Sequence, residues 1–202
     1  MDNIVLKVAS SAVLGGTISE IGGGKFANGA VTGAYSMLYN EIMHLNLTRK
    51  FNEQLKKTKD YFTSRRLYYE QMMSELGGMY SAGDLIVDGS LSVATVMLSE
   101  FASLVAENSM FDLKNNPKSL FSDSQLKGQL ALYNNELFRS QDFGNYNFGV
   151  AAKAFGLTLN FSQLGAGLYQ IYRGASDWRW IKSHFDDPTD SKMIERGYNH
   201  FK

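Results

Sequence analysis

The chain has 202 residues, 44% of them hydrophobic, enough to bury a real core in one domain with an appendage or in two small domains. Its formal net charge is +0 and its pI is near 6.8, so nothing steers the whole molecule towards nucleic acid or anionic lipid, which argues weakly against a nuclease. The absence of Cys excludes disulfides and thiolate metal sites, and three scattered His (His44, His184, His200) disfavour a His-based metal cluster.

The opening run MDNIVLKVASSAVLGG places acid before base and shows no clear cleavage site after a compact apolar stretch, so it is not expected to be a signal peptide. Helical periodicity recurs nearly throughout, punctuated by Gly, which predicts a mainly α chain. A helix is expected over Ile4–Ile21, a break at Gly22–Gly24, and a second helix from about Asn28 to Leu45. Gly29 and Gly33, with Ala30 and Ala34, make a face of small residues on which another helix can approach closely. Residues 1–45 thus read as a Gly-jointed helical hairpin, with membrane insertion the lesser alternative.

Residues 46–202 read as a compact multi-helix domain. The clearest amphipathic helix is Leu47–Leu76, whose apolar stripe holds Leu47, Phe51, Leu55, Phe62, Tyr69, Met73 and Leu76. Arg49, Lys50, Lys56, Lys57, Lys59 and Arg66 occupy the rest of its circumference, as a solvated face or, less expectedly, a phosphate-binding one. Gly77–Gly78 are expected to end it, and Ser90 to cap an apolar helix ending near Glu107. Residues 85–106 are the most apolar window, but Asp88 and Glu100 make a buried helix the better reading than a membrane span. A loop is expected over 108–124, then helices near 125–138, 148–155, 162–172 and 189–201.

Several stretches carry chemistry. In DFGNYNFG (Asp142–Gly149), Gly144 and Gly149 would permit a sharp turn. If the stretch is extended, Asn145 and Asn147 share one side, Tyr146 and Phe148 the other, and Asp142 could serve as a general base. The bland alternative is a capped start to the helix VAAKAFG with Asn147 as N-cap. In FDLKNN, Asp112 and Lys114 would lie on one side of an extended segment, the Asp as acid or base and the Lys facing developing negative charge. Alone, they read as a surface ion pair. Glu107, at the end of an apolar helix, would become a general acid if partly buried. Asp186, Asp187 and Asp190 in DDPTD could hold a divalent cation, although helix capping accounts for two of them. Trp178 and Trp180 suit stacking on a sugar or base, with one of them expected in the core.

Two segments resemble known families. GGTISEIGGGKFANGAVTGAYSMLYNE (Gly15–Glu41) resembles the Gly-rich stretch ahead of the variable C-terminal toxin in RHS-repeat and filamentous-haemagglutinin-type polymorphic toxins. FDLK (Phe111–Lys114), DFGNYNFG and DDPTDSKMIERG (Asp186–Gly197) resemble, in order and spacing, the elements of the polymorphic toxin type 44 domain. Phe111 stands where Trp is common, Leu113 where an aromatic or His is common, and Asn147 where that family can have His.

The resemblance implies that residues 1–45 are a pre-toxin segment and 46–202 a toxin, the C-terminal piece of a much larger secreted protein acting on a neighbouring bacterial cell. It also implies a cognate immunity protein as partner, together with the N-terminal remainder of the parent toxin. Residue chemistry and resemblance together suggest a hydrolase cleaving peptidoglycan glycan strands, with Asp112, Lys114, Asp142 and Glu107 as catalytic groups. Asn145, Tyr146, Asn147, Asp186 and Asp187 are expected to bind substrate, and neither a cofactor nor a metal is expected. The alternatives are a cytoplasm-acting RNase using Asp112, Lys114 and Asp142, and a membrane-depolarising toxin acting through the hairpin.

Overall fold

The structure is a computed structural model that describes residues 4–79 and 90–201. It is mainly α, with α1 at Ile4–Ile21, α2 at Phe26–Met79, α3 at Ser90–Val105 and a single-turn α4 at Asp123–Leu126. A two-stranded hairpin follows, β1 (Ala131–Tyr133) and β2 (Glu136–Phe138), then α5 (Ser140–Phe155), α6 (Leu159–Tyr172), a 3-10 turn at Trp178–Ser183, and α7 (Pro188–Tyr198). The chain forms two compact units, one of residues 1–51 with 132–136 and one of residues 52–131 with 137–202.

In the first unit the expected hairpin is present, with the break at Gly22–Gly24. Its two helices touch through backbone: a Cβ added at Gly15 would collide with the Gly29 carbonyl, and one at Gly33 with the Ser11 carbonyl. Lys7 pairs with Glu41 at 3.4 Å across the open end. At the foot of the unit Phe51 is fully buried, edge-on to Tyr133 at 4.8 Å.

Two expected boundaries within α2 do not hold. The helix runs unbroken through Leu45–Leu47 and through Gly77–Gly78 as far as Met79. A Gly costs only about 1 kcal/mol in a helix interior, and packing of the long apolar stripe offsets that. Phe51, Leu55, Phe62 and Tyr69 are buried, and Met73 and Leu76 pack against the core. Ser90 is the first residue of α3, but the capping role expected of its side chain and the start of the 85–106 window lie outside what is described.

The second unit is organised around aromatic rings. Phe62 lies 5.4 Å from Phe101, 4.8 Å from Phe111 and 5.8 Å from Phe155, within the 4.5–7 Å range of favourable ring pairs. Tyr69 and Arg65 of α2 both reach Glu100 of α3, Tyr69 by a short hydrogen bond and Arg65 through its guanidinium. α5 and α7 cross closely, because a Cβ at Gly149 would meet the backbone of Ile194 and Tyr198, and one at Gly197 that of Tyr146.

The helix expected near 125–138 is replaced by α4 and the β-hairpin. Lys127 and Gly128 take positive φ of 51° and 74° and stop α4 after one turn. Asn134 and Asn135, at φ 49° and 64°, form the tight turn with both central residues left-handed that matches strand twist. The short helix expected at 148–155 instead begins at Ser140, so DFGNYNFG is helical and not an extended loop or a turn. Phe143, Tyr146, Asn147, Val150 and Ala154 are all buried, a helical stripe whose spacing outweighs the poor helix propensity of Gly and Asn.

Candidate functional site

A cleft of about 720 Å³ opens in the second unit between the end of α3, the loop at 111–115, one face of α5, α6 and the start of α7. Its floor is apolar, with Phe101, Phe111, Phe148, Leu157 and Ile194. Asp112, Lys114, Asn115, Asn145, Gln170, Asp186 and Asp190 line its wall, and Glu107, Tyr169 and Arg173 stand at the α3–α6 side.

Asp112 ties the loop together. It accepts hydrogen bonds from the backbone N of Asn108 (2.8 Å), Lys114 (3.1 Å) and Asn115 (3.1 Å), and from Asn115 Nδ2 (2.8 Å). Those bonds hold a turn rather than the extended segment expected. Lys114 therefore does not pair with Asp112, although both residues line the cleft. Phe111 and Leu113, on either side of Asp112, are core residues. Gly144 on α5 lets the Lys114 stem lie close, since a Cβ there would stand 3.1 Å from Lys114 Cβ.

Asp186 is the most unusual group in the cleft. It is 1% exposed; Oδ1 accepts from Gln170 Nε2 at 2.8 Å, and Oδ2 is buried with no hydrogen-bond partner. Burial, reinforced by the neighbouring charge of Asp190, pushes its carboxyl up to about 7, against the pull of the Gln170 bond. The segment that delivers it is strained, with His184 and Phe185 consecutive at φ 57° and 67°, a region that costs non-Gly residues energy. It seats directly on α6, where a Cβ at Gly167 would run into the His184 carbonyl.

Asp190, in the first turn of α7, is also raised by burial and by the charge of Asp187, while Asn145, Lys114 and Arg139 work in the opposite direction. Asn145 Nδ2 is buried and makes no satisfactory hydrogen bond of its own. The cleft thus contains a buried carboxyl that holds its proton near neutrality, a second carboxyl beside a cation and an amide, and polar atoms left open towards its interior. Among the described residues there is no cluster of three or more Asp, Glu or His arranged to hold a metal ion.

Of the residues singled out from sequence, the fold brings Glu107, Asp112, Lys114, Asn145 and Asp186 to this cleft. Glu107 is not partly buried as the acid role would need: it is exposed, paired with Arg173 at 3.1 Å, and accepts from the Tyr169 hydroxyl at 3.3 Å. The other four lie elsewhere. Asp142, buried in the first turn of α5, accepts from the Arg139 backbone N at 2.7 Å and pairs with its guanidinium at 3.0 Å. Tyr146 shares a hydrogen bond of 2.8 Å with His200 Nδ1. Asn147 is fully buried, accepting from the Thr58 hydroxyl at 2.7 Å and donating to the Phe111 carbonyl at 3.0 Å, and is not an N-cap. Asp187 caps α7 through Thr189 N at 2.7 Å. Trp178 is exposed, and neither it nor Trp180 lines the cleft.

Gln170 is the group that sequence reasoning passed over, and Asp190, read there only as a possible cation ligand, also lines the cleft. Asp190 carried a signal, standing four residues after Asp186 across a helix start. Gln170 carried none beyond being a polar side chain on an apolar helix.

No match is found among curated proteins or among solved structures. The model of one family, described as bacterial toxin 44, matches residues 100–202, which is the stretch that supplies nearly all of this cleft. The chain belongs to the bacterial toxin 44 family.

Proposed function

We propose that this chain is the C-terminal effector of a secreted polymorphic toxin of the RHS or filamentous-haemagglutinin kind, and that its cleft hydrolyses glycan strands of a neighbouring cell's peptidoglycan. Residues 1–45 serve as the pre-toxin segment and 46–202 as the effector. The observation that carries the reading is Asp186, a buried carboxyl with a free oxygen and a pKa near 7, set beside Asp190 at the start of one helix. Glycoside hydrolysis needs such a division of labour, one carboxyl kept protonated and one kept ionised.

In this reading Asp186 gives its proton to the leaving glycosidic oxygen. Asp190, raised by burial and by Asp187 but held back by Asn145, Lys114 and Arg139, acts as base or nucleophile in its ionised form. Asp112 fixes the loop that carries Lys114, the apolar floor takes sugar faces, and Glu107 with Arg173 holds the rim. Tyr146, Asn147 and Asp187 position these groups through α5 and α7, while Asp142 serves as a cap of α5. The RNase alternative draws less support, because Lys56, Arg65 and Arg66 of the basic helix are paired with Asp60, Glu100 and Glu70. A producing cell would then hold an immunity protein against this module.

The test is expression of the full chain with and without a periplasmic export signal, alongside Asp186→Asn. Killing confined to the exported form, with soluble sugar fragments released from purified peptidoglycan by wild type and not by the variant, is the expected result. Killing from the cytoplasm with loss of cellular RNA would overturn it. The expected loss for Asp186→Asn is about 10²–10⁴ in rate, the usual contribution of a general acid.

A further inference from the structure

The hairpin of α1 and the first part of α2 is built the wrong way round for water. Its inner face is made of Ser11, Gly15, Gly29 and Gly33, whose backbones touch, with the Ser19 side chain against Gly29. The large side chains point outward: Val13, Leu14 and Ile18 of α1 are 60–63% exposed, and Tyr35 and Tyr39 of α2 are 71% and 65% exposed. Only Gly16 is buried in the whole of α1.

A water-soluble helix pair does the opposite, placing large apolar residues inside and polar ones outside. At 100° per residue, the exposed apolar positions of α1 from Val5 to Ile21 cover roughly 220° of its circumference, everything that α2 does not cover. A groove on one protein partner cannot surround that arc; a lipid phase can.

Three independent features point the same way. Between Lys7 and Glu20, and between Lys25 and Glu41, there is no charged residue, so charge is confined to the two ends of the hairpin. Both threonine hydroxyls between those ends are satisfied internally: Thr17 donates to the Val13 carbonyl and Thr32 to the Asn28 carbonyl, each at 2.9 Å. With Ser19, which donates to the Lys25 carbonyl, these hydroxyls need no water, as a hydrocarbon medium requires. Finally, α1 is long and apolar enough to cross a membrane. Its span of about 27 Å, at 1.5 Å per residue, is close to the thickness of a bilayer's hydrocarbon core.

We propose that residues 4–45 form a lipid-inserting helical hairpin, a membrane-binding element separate from the cleft and independent of the chemistry proposed there. Its association rests on close Gly packing, the mode that operates between helices where no hydrophobic force drives them together.

The experiment is flotation of the purified full chain with vesicles of phosphatidylethanolamine and phosphatidylglycerol. It is run beside a double variant, Val13→Asp with Ile18→Asp, and a control, Leu168→Asp, at an equally exposed position of α6. All three sites are open to water, so circular dichroism and melting in buffer should match wild type. Wild type and the control should float, and the double variant should partition at least about a hundredfold less, given the cost of one carboxylate at mid-membrane alone. Wild type remaining with the aqueous fraction, or the double variant floating as wild type does, would overturn the proposal. So would a vesicle-independent oligomer that the double variant converts to monomer, because a second copy would then be what covers this surface.

Discussion

The two units spend their apolar residues in opposite ways. In the second, Phe62, Phe101, Phe111 and Phe155 are 0–7% exposed and make a ring cluster, with charge at the surface and in the cleft. In the first, Gly and Ser fill the contact between helices and the aliphatic residues face outward. One sequence property, apolar content, therefore has two physical meanings, and side-chain volume at the contact distinguishes them. Large residues at the contact build a core that water drives together, and small ones build a contact that backbone packing holds.

That contrast can be broken most directly by truncating one residue of each kind. Phe62→Ala removes the centre of the ring cluster and should cost about 3–5 kcal/mol, through lost transfer energy and the cavity left behind. Val13→Ser, on the open face of α1, should change stability in water by less than about 0.5 kcal/mol. Denaturant melts of the two variants decide it. A large loss from Val13→Ser would mean that its surface is already covered in solution, and the two units would then follow one rule.

The comparison also locates what was legible in the sequence. The stripe from Phe51 to Tyr69 and the small-residue face at Gly29 and Gly33 were readable because each is a local period that the fold simply uses. DFGNYNFG was misread because its composition of Gly and Asn favours a loop, while Phe143, Tyr146 and Val150 sit at helical spacing and bury deeply enough to win. The meeting of Asp186 with Gln170 needed two separate segments to come together, and the strained turn at His184–Phe185 that arranges it leaves no local mark. Burial decides a carboxyl's chemistry, and burial of this kind is a tertiary property.

Asp186 supplies a sharper test within the second unit. An ordinary Asp loses its proton near pH 4, whereas Asp186 in the fold keeps its proton up to about 7. Between those values the folded chain holds a proton that the unfolded chain has released, so stability falls as pH rises through this window and levels off above it. Asp186→Asn removes its share of the dependence and leaves that of Asp190, which burial also raises. The variant should gain on wild type as pH rises from about 4 to about 7, by up to about 4 kcal/mol at about 1.4 kcal/mol per pKa unit. Melting curves across that range measure it, and parallel curves for the two proteins would place Asp186 in contact with water rather than in a dry wall.

The smallest effect separates two buried acids of the region that the family model matches. Asp142 and Asp186 are both buried, but Asp142 has its lone pairs occupied by the Arg139 backbone and guanidinium, while Asp186 leaves one oxygen open. Asp142→Ala should therefore act as the loss of a helix cap, costing about 0.5–2 kcal/mol. Arg139, which is half exposed, can turn to water once its partner is gone, which keeps the cost at the lower part of that range. Activity per folded molecule should stay close to wild type for Asp142→Ala and collapse for Asp186→Asn, measured on the same peptidoglycan at a temperature where both remain folded. Loss of activity from Asp142→Ala without a drop in melting temperature would return Asp142 to the chemistry and shift the reacting centre from the start of α7 towards the start of α5.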